Sequence, residues 1–390
     1  MRDAVIIDAV RTPLGKGKPG GALSGLSAVD LSAQVLTALA DRVGLDPAEV
    51  DDVVWGCVSQ IGEQAGGIGR YAVLAAGWPE HVPGLAVDRQ CGSSQQAVHQ
   101  VAAGVIAGQY DIAVAGGVES MSRVPIGASF AGGSLGTPFS PRIEARYPGT
   151  TFNQGLGAEL IADKYGLSRA ELDAHALESH ARAAAAVDVK LFHSQITRVT
   201  APGPDGKDRV VDADEGIRRG STPEQLAGLP TPFKAHGRIS AGNSSQITDG
   251  AAALLVTTSD AAAAHGWTPI ARFHTGTVVG TDPVTMLTGP IPATAKVLSR
   301  AGLALADIGA YEVNEAFASV TLAWLRETGA DPAKLNPNGG AMALGHPLGA
   351  SGARLMTTLV HHMRDNGIRY GLQTMCEGGG MANATVLELL

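Results

Sequence analysis

CGSSQQAVHQVAAGVIAG, residues 91–108, is the stretch whose reading decides the fold. A cysteine followed by Gly92, Ser93 and Ser94 makes an uncrowded turn. Apolar residues then recur at helical spacing to Ile106, and Gly108 supplies the stop. DIAVAGG follows at 111–117 and reads as a buried strand running into a glycine turn. The same order returns late in the chain. The interval from Ala350 to Gly367 equals that from Cys91 to Gly108, and GLQTMCEGGG at 371–380 supplies the strand and its glycine end. A repeated helix-and-strand unit predicts two duplicated α/β halves. Alternating strands and helices predict mostly parallel sheets covered by helices.

Working outward, residues 4–10 and Asp52–Val58 read as strands, and Ala28–Val43 as an amphipathic helix stopped by Gly44. Residues 120–250 break the pattern, being rich in Gly, Pro and polar residues, with helices expected at Ala158–Tyr165 and Arg169–Val187. The strand pattern resumes with GAAALLVTTS, and helices are expected at Thr294–Ala301 and Phe317–Glu327, with a short strand at Ala310–Val313 between them. The expected organisation is a first half from 1–119 with 251–268, an inserted loop domain at 120–250, and a second half at 269–390. The apolar strand near Asp111–Ala115 is a candidate for extending a sheet between subunits.

Composition narrows the function. Hydrophobic residues make up 45% of the 390, enough for a large core. The formal net charge is -8 and no basic stripe stands out, which argues against nucleic acid as partner. No charge-free apolar run of helical character is long enough to suggest a membrane span. The opening MRDAVIIDAVRTP is broken by Asp8 and makes a poor signal peptide. Three widely spaced cysteines, Cys57, Cys91 and Cys376, suit a reducing cytoplasm rather than a disulfide framework. With no CxxC pair, and with the adjacent His361 and His362 on different helix faces, no metal site is expected.

Cys91 sits where a strand hands over to a helix. Free amides and the helix dipole there favour a thiolate, although a lone cysteine is commonly a small buried hydrophobe. His346, in NPNGGAMALGHPLGASGAR, is flanked by glycines that let backbone approach a ligand, and a histidine is the natural activator of a thiol. Cys376, in TMCEGGGMAN, pairs a second thiol with free backbone amides suited to an oxyanion. Asn314, in YEVNEAF, ends a short strand and reads equally as a helix cap. No spacing in the sequence joins these four.

Their joint occurrence resembles the thiolase family over essentially the whole chain. The matching segments are AVRTPLGK at 9–16, CGSS at 91–94, AGGVESMS at 115–122, AGNSSQITDGAA at 241–252, GPIPA at 289–293, NEAF at 314–317, GGAMALGHPLGASGAR at 339–354 and CEGGG at 376–380. The resemblance implies a layered αβαβα core with an inserted lid. It implies Cys91 as acyl-accepting nucleophile, His346 as its activator, Cys376 as acid/base, and Asn314 as holder of a water that joins His346 in one oxyanion hole. The Cys91 and Gly378 amides form the second hole. Coenzyme A enters as substrate, with no permanently bound cofactor. Its contacts fall on Arg218, Ser245, Phe233, Met286 and Phe317.

The implied activity is thiolytic cleavage of 3-ketoacyl-CoA to acetyl-CoA and a shortened acyl-CoA, by an acyltransferase of β-oxidation and fatty acid degradation. The resemblance also implies a cytoplasmic homodimer or homotetramer that can associate with other β-oxidation enzymes. The alternative is acetoacetyl-CoA synthesis from two acetyl-CoA, and a ketoacyl-synthase-like condensing enzyme is the distant one. FNQGLG at 152–157 departs from acetoacetyl-specific members: Asn153 and Gln154 stand where those carry a histidine–methionine pair. That change leaves room for a larger acyl group.

Overall fold

The computed structural model describes residues 2–203 and 206–390. The chain runs β1 (Val5–Arg11), β2 (Gly15–Lys16), α1 (Ala28–Val43), β3 (Asp52–Gly56), α2 (Ile68–Ala75), β4 (Gly84–Val87), α3 (Ser93–Ala107) and β5 (Ile112–Ser120). A long intervening segment carries α4 (Pro141–Arg146), α5 (Gln154–Lys164), α6 (Arg169–Asp188), the ribbon β6 (Val199–Pro202) and β7 (Asp208–Val211), and α7 (Pro223–Ala227). Then come β8 (Thr248–Thr257), α8 (Ser259–Ala264), β9 (Ala271–Gly280), α9 (Pro290–Ala301), β10 (Ala310–Val313), α10 (Ala318–Thr328), α11 (Ser351–Asn366), β11 (Tyr370–Glu377) and β12 (Met381–Leu389).

Local chemistry sets the helix ends. Ser27 caps α1 by accepting from Asp30 N, and Gly44 closes it in the left-handed conformation. Ser168 and Glu171 form a capping box at the start of α6.

One ten-stranded sheet has the order β10-β11-β12-β9-β1-β8-β5-β3-β4, with β2 paired to β8. Its two halves repeat. In one, β3 lies parallel to β5, and β5–β8 and β8–β1 are antiparallel. In the other, β10 lies parallel to β11, and β11–β12 and β12–β9 are antiparallel. The halves meet where β1 pairs with β9 at Val5↔Arg272 and Ile6↔Ala271.

Strand alternation sorts the core into layers. Val114 and Ile112 of β5 face α1 and α2, while Ala113 and Ala115 face α3 and α11. The same central cluster takes Ala271, Ala310 and Leu387 from the second half, so α3 and α11 lie between the two halves. Beyond the second half, α9 and Trp324 of α10 cover Val313, Leu372 and Val386. The αβαβα order expected from the sequence is the order observed.

Two expectations are corrected. The sheet is mixed, and its antiparallel pairs outnumber the parallel ones. The β11–β12 connection is the turn at residues 378–380, too short for the crossover that a parallel pair requires. Nor can the strand near Asp111–Ala115 extend a sheet between subunits, because β5 is paired on both sides, to β3 and β8. The outer strands are β4 and β10.

Glycine permits the close approach at the centre. A Cβ on Gly352 of α11 would fall 2.2 Å from Gln95 N of α3, and one on Gly349 would fall 2.4 Å from Val118 O. Any side chain at either position pushes the second half off the first.

Candidate active site

The first thiol stands on a strained elbow. Between β4 and α3, Gln90 takes a φ of 49°, unusual for a residue with a side chain. The turn is held by Ser93 Oγ, which donates to Gln90 O at 2.6 Å and accepts from Arg89 N at 2.9 Å. Cys91 comes next and is 3% exposed. Burial first, and the charge of Glu377 second, push its thiol up to about 12. The expected thiolate is therefore corrected to a neutral thiol: loss of water outweighs the amides at the helix start.

His346 is buried in the loop that leads into α11. Its Nδ1 lies 2.5 Å from Ser351 Oγ, which donates its single proton to Pro347 O at 2.7 Å. Ser351 must then accept from Nδ1–H, which leaves Nε2 as the lone-pair nitrogen. Burial first, and the positive charge of Arg354 second, push the imidazole down to about 3. Asn314 Nδ2 lies 3.4 Å from Nε2, while Asn314 Oδ1 is buried without a hydrogen-bond partner. That free acceptor suits a water.

Cys376, near the end of β11, is fully buried. Its thiol is raised well above its ordinary value by burial first and by the neighbouring Cys91 second. Among the described residues, neither the Cys91 nor the Gly378 amide donates a hydrogen bond within a turn or loop. Leu348, two residues past His346, shares one apolar cluster with Cys91 and Met375. The Cys91 thiol thus lies close enough to act on the Cys376 thiol, and His346 is tied through Asn314 to Thr374, two residues before Cys376 on β11.

The apolar residues anticipated along the ligand path also converge. Met286 and Phe317 form one cluster with Cys376, with Phe233 packed against it. The Phe233 and Phe317 rings meet edge-to-face at 6.2 Å. Ser245 N donates to Ala316 O at 3.0 Å, beside Phe317. Met286 has a φ of 57°, a second strained residue in the same site. The pair at the start of α5 divides its work. Asn153 caps the helix by accepting from Leu156 N, and the Gln154 side chain reaches the Cys91 thiol as a hydrogen-bond donor.

Arg218 stands apart from this cluster. It is exposed beside a cavity of about 460 Å³ lined also by Arg219, His180, Leu177 and Glu178. Arg219 pairs with Asp188, whereas Arg218 makes no ion pair among the described residues. No group of three or more His, Cys, Asp or Glu residues is placed to hold a metal among the described residues. No helix there is long and apolar enough to cross a membrane.

Two carboxylates that sequence reasoning passed over hold the loops of the site. Glu119 accepts from Val58 N, Ser59 N, Gln64 Nε2 and Gly349 N, tying three segments together. Glu315 accepts from Ser179 Oγ, Asn336 Nδ2 and Met342 N, fixing the stretch before His346. Both lie inside quoted motifs, AGGVESMS and NEAF. An acid flanked by small and apolar residues was the available sign.

The comparisons agree over the full length. The family described as "Thiolase, N-terminal domain" matches residues 4–260, and "Thiolase, C-terminal domain" matches 267–389. A steroid 3-ketoacyl-CoA thiolase of Mycobacterium tuberculosis is 51% identical, covering 100% of this chain and 95% of the relative. A 3-ketoacyl-CoA thiolase of Erwinia tasmaniensis is 43% identical, covering 100% of each. The crystal structure of the Bacillus anthracis acetyl-CoA acetyltransferase superposes with a TM-score of 0.91 at 36% identity, covering 100% of this chain and 99% of that one.

Proposed function

The chain belongs to the thiolase family, and from that premise we propose that it cleaves 3-ketoacyl-CoA with coenzyme A, carrying the shortened acyl chain on Cys91. The observation that carries this reading is the pair of buried thiols, Cys91 and Cys376, close enough to act on one another, with the buried His346 joined to Asn314 near the same strand. A single-thiol acylase has no use for Cys376.

Cys91 Sγ attacks the 3-keto carbon as His346 Nε2 takes its proton. The C2–C3 bond breaks, and negative charge moves to the thioester oxygen of the leaving acetyl-CoA enolate. Protonated His346 and a water on Asn314 Oδ1 stabilise that oxygen. Cys376 gives its proton to C2, and acetyl-CoA departs. Coenzyme A then returns a proton to Cys376, and its sulfur attacks the acyl-Cys91 carbonyl, whose oxyanion is held by the Cys91 and Gly378 amides. Cys91 leaves and recovers its proton from His346. Every group ends as it began, and the kinetics are ping-pong.

Arg218, unpaired and exposed, meets coenzyme A phosphate. Ser245, Phe233, Phe317 and Met286 line the path toward the thiols, beneath a cover built by residues 120–250. Gln154 and the apolar residues near it suit a bulky acyl group, in line with the 51% relative's name. The protein acts as a cytoplasmic homodimer or homotetramer beside other β-oxidation enzymes. The outer edge of β4, with Leu85 exposed, is available to a second copy.

The test is intact-mass detection of acyl-Cys91 after a 3-ketoacyl-CoA is supplied without coenzyme A. It is paired with thiolysis rates across acetoacetyl, medium-chain, branched and ring-bearing substrates. No acyl adduct on Cys91 would sink the mechanism, and a strict acetoacetyl preference would sink the substrate reading.

A further inference from the structure

Glu377 follows Cys376 along β11, and the reaction above makes no use of it. Its side chain is 0% exposed, and neither carboxylate oxygen has a hydrogen-bond partner. Its position is fixed by a close contact. A Cβ built on Gly92 would lie 2.1 Å from Glu377 Oε1 and 2.6 Å from Asn383 Nδ2. The carboxyl therefore lies against the residue that joins Cys91 to α3. Asn383 Nδ2, the obvious donor, is turned to Gly92 O at 3.0 Å.

The surrounding charges come from every side. Cys376 shares its strand, Cys91 stands on the elbow, and Asp88 and Arg89 lie on the segment before it. Glu119 of β5 acts on Cys91 from farther away, and His99 of α3 is kept neutral by burial and by Arg89. β12 contributes only the uncharged Asn383 and Met381. Arg89 Nε is itself unpartnered, and Arg89 makes no ion pair with Glu377. A carboxylate buried with no donor is the costly form, and the neutral acid is the cheaper one.

Taking Cys91 as the nucleophile, we infer that Glu377 is a positioning residue that rests against Gly92 as the neutral carboxylic acid and, when ionised, sets a negative charge behind both thiols that opposes thiolate formation. Burial, opposed by Arg89 and reinforced by Asp88, pushes this acid up to about 8. Below that pH the Cys91 proton can leave for His346 with no opposing charge. Above it, the carboxylate makes each thiol a weaker acid.

The experiment follows iodoacetamide labelling of Cys91, resolved site by site by mass spectrometry, from about pH 6 to about pH 10 in wild type and Glu377→Gln. Glutamine keeps the shape and removes the ionisation. The logarithm of the E377Q rate should climb steadily with pH. The wild-type rate should climb less steeply from about pH 8 and fall about fivefold behind by about pH 9, approaching about tenfold near pH 10, for a one-unit loss of thiol acidity on full ionisation. Superimposable profiles overturn the inference. If E377Q fails to fold, Arg89→Gln in an otherwise wild-type chain decides the matter. Loss of the cation should move the change of slope to higher pH, and an unmoved inflection overturns the inference. Labelling reads the thiol rather than turnover, so a negative result here leaves the thiolysis reading standing. That reading fails separately, on the missing acyl adduct.

Discussion

A histidine that stays neutral needs its tautomer chosen for it, and Ser351 makes the choice. Its hydroxyl proton is committed to Pro347 O, so its oxygen can only accept from His346 Nδ1–H. Ser351→Ala strips that acceptor and leaves a buried donor unsatisfied, a loss of about 1–3 kcal/mol. The expected outcome is kcat lower by about 10- to 100-fold with KM little changed, measured by steady-state thiolysis. Cys376→Ser replaces a thiol with a much weaker acid, so kcat should fall by about 10²- to 10⁴-fold while Cys91 still accepts the acyl group. Persistent acyl-Cys91 with slow release by coenzyme A, seen by mass spectrometry, is the diagnostic result. Cys91, His346 and Cys376 stood out in the sequence as members of glycine-rich segments that expose backbone, but only the resemblance of those segments to a known family joined them into one proposed site. The charge states were not legible there. The Cys91 turn argued for a thiolate, but the degree of burial that reverses this belongs to the folded chain. Glu377 was equally hidden, because its significance lies in its contact with Gly92, far away in sequence.

At the level of elements, α3 and α11 read well from periodicity and their glycine stops, and their repeated spacing revealed the duplication. Strand direction read poorly. The pattern of strand, helix, strand suggests crossovers, but β8 returns from the long segment after β5, and β12 follows β11 through a short glycine turn. Both can therefore run antiparallel. The contact between α3 and α11 carries its own prediction. Gly352→Ala places a methyl group 2.2 Å from Gln95 N, a backbone atom that cannot move alone. Overpacking of this kind costs about 1–3 kcal/mol. The melting temperature should drop, with a matching loss of activity because α3 carries Cys91 at its start and α11 follows His346. A variant that melts like wild type would show that the helices can part without consequence.

Across the whole molecule, buried ionisable groups set the stability profile. Glu312 and Glu377 are pushed up to about 8, by burial in each case, so the native state keeps protons that the unfolded chain releases at the ordinary value of 4.5. Their contribution is lost as pH rises through that window. His99, His180 and His346 are pushed down to about 4, 4 and 3, chiefly by burial, so the native state refuses protons that the unfolded chain takes up below 6.5. Those imidazoles lower stability on the acid side and have no effect above 6.5. Between about pH 6.5 and 8 the carboxyls therefore dominate, and stability should fall as pH rises. Urea midpoints at the two ends of that range check the sign, and a midpoint that rises with pH would contradict it. The duplication of the molecule was legible in the sequence through its repeat, and its layering through the family resemblance. The long segment was legible only as an interruption, since its part in the site depends on where α5 and Phe233 come to rest.

The β11–β12 hairpin, the last pair of strands, completes the sheet and delivers Cys376, Glu377 and Gly378 together. Synthesis runs from the N-terminus, and early segments can fold while later ones are still being made. A chain that still lacks this hairpin lacks Cys376, Glu377 and Gly378, and with them the second thiol and the strand that carries it. On the proposed mechanism, thiolysis therefore begins only once that hairpin has docked, because the second thiol arrives with it.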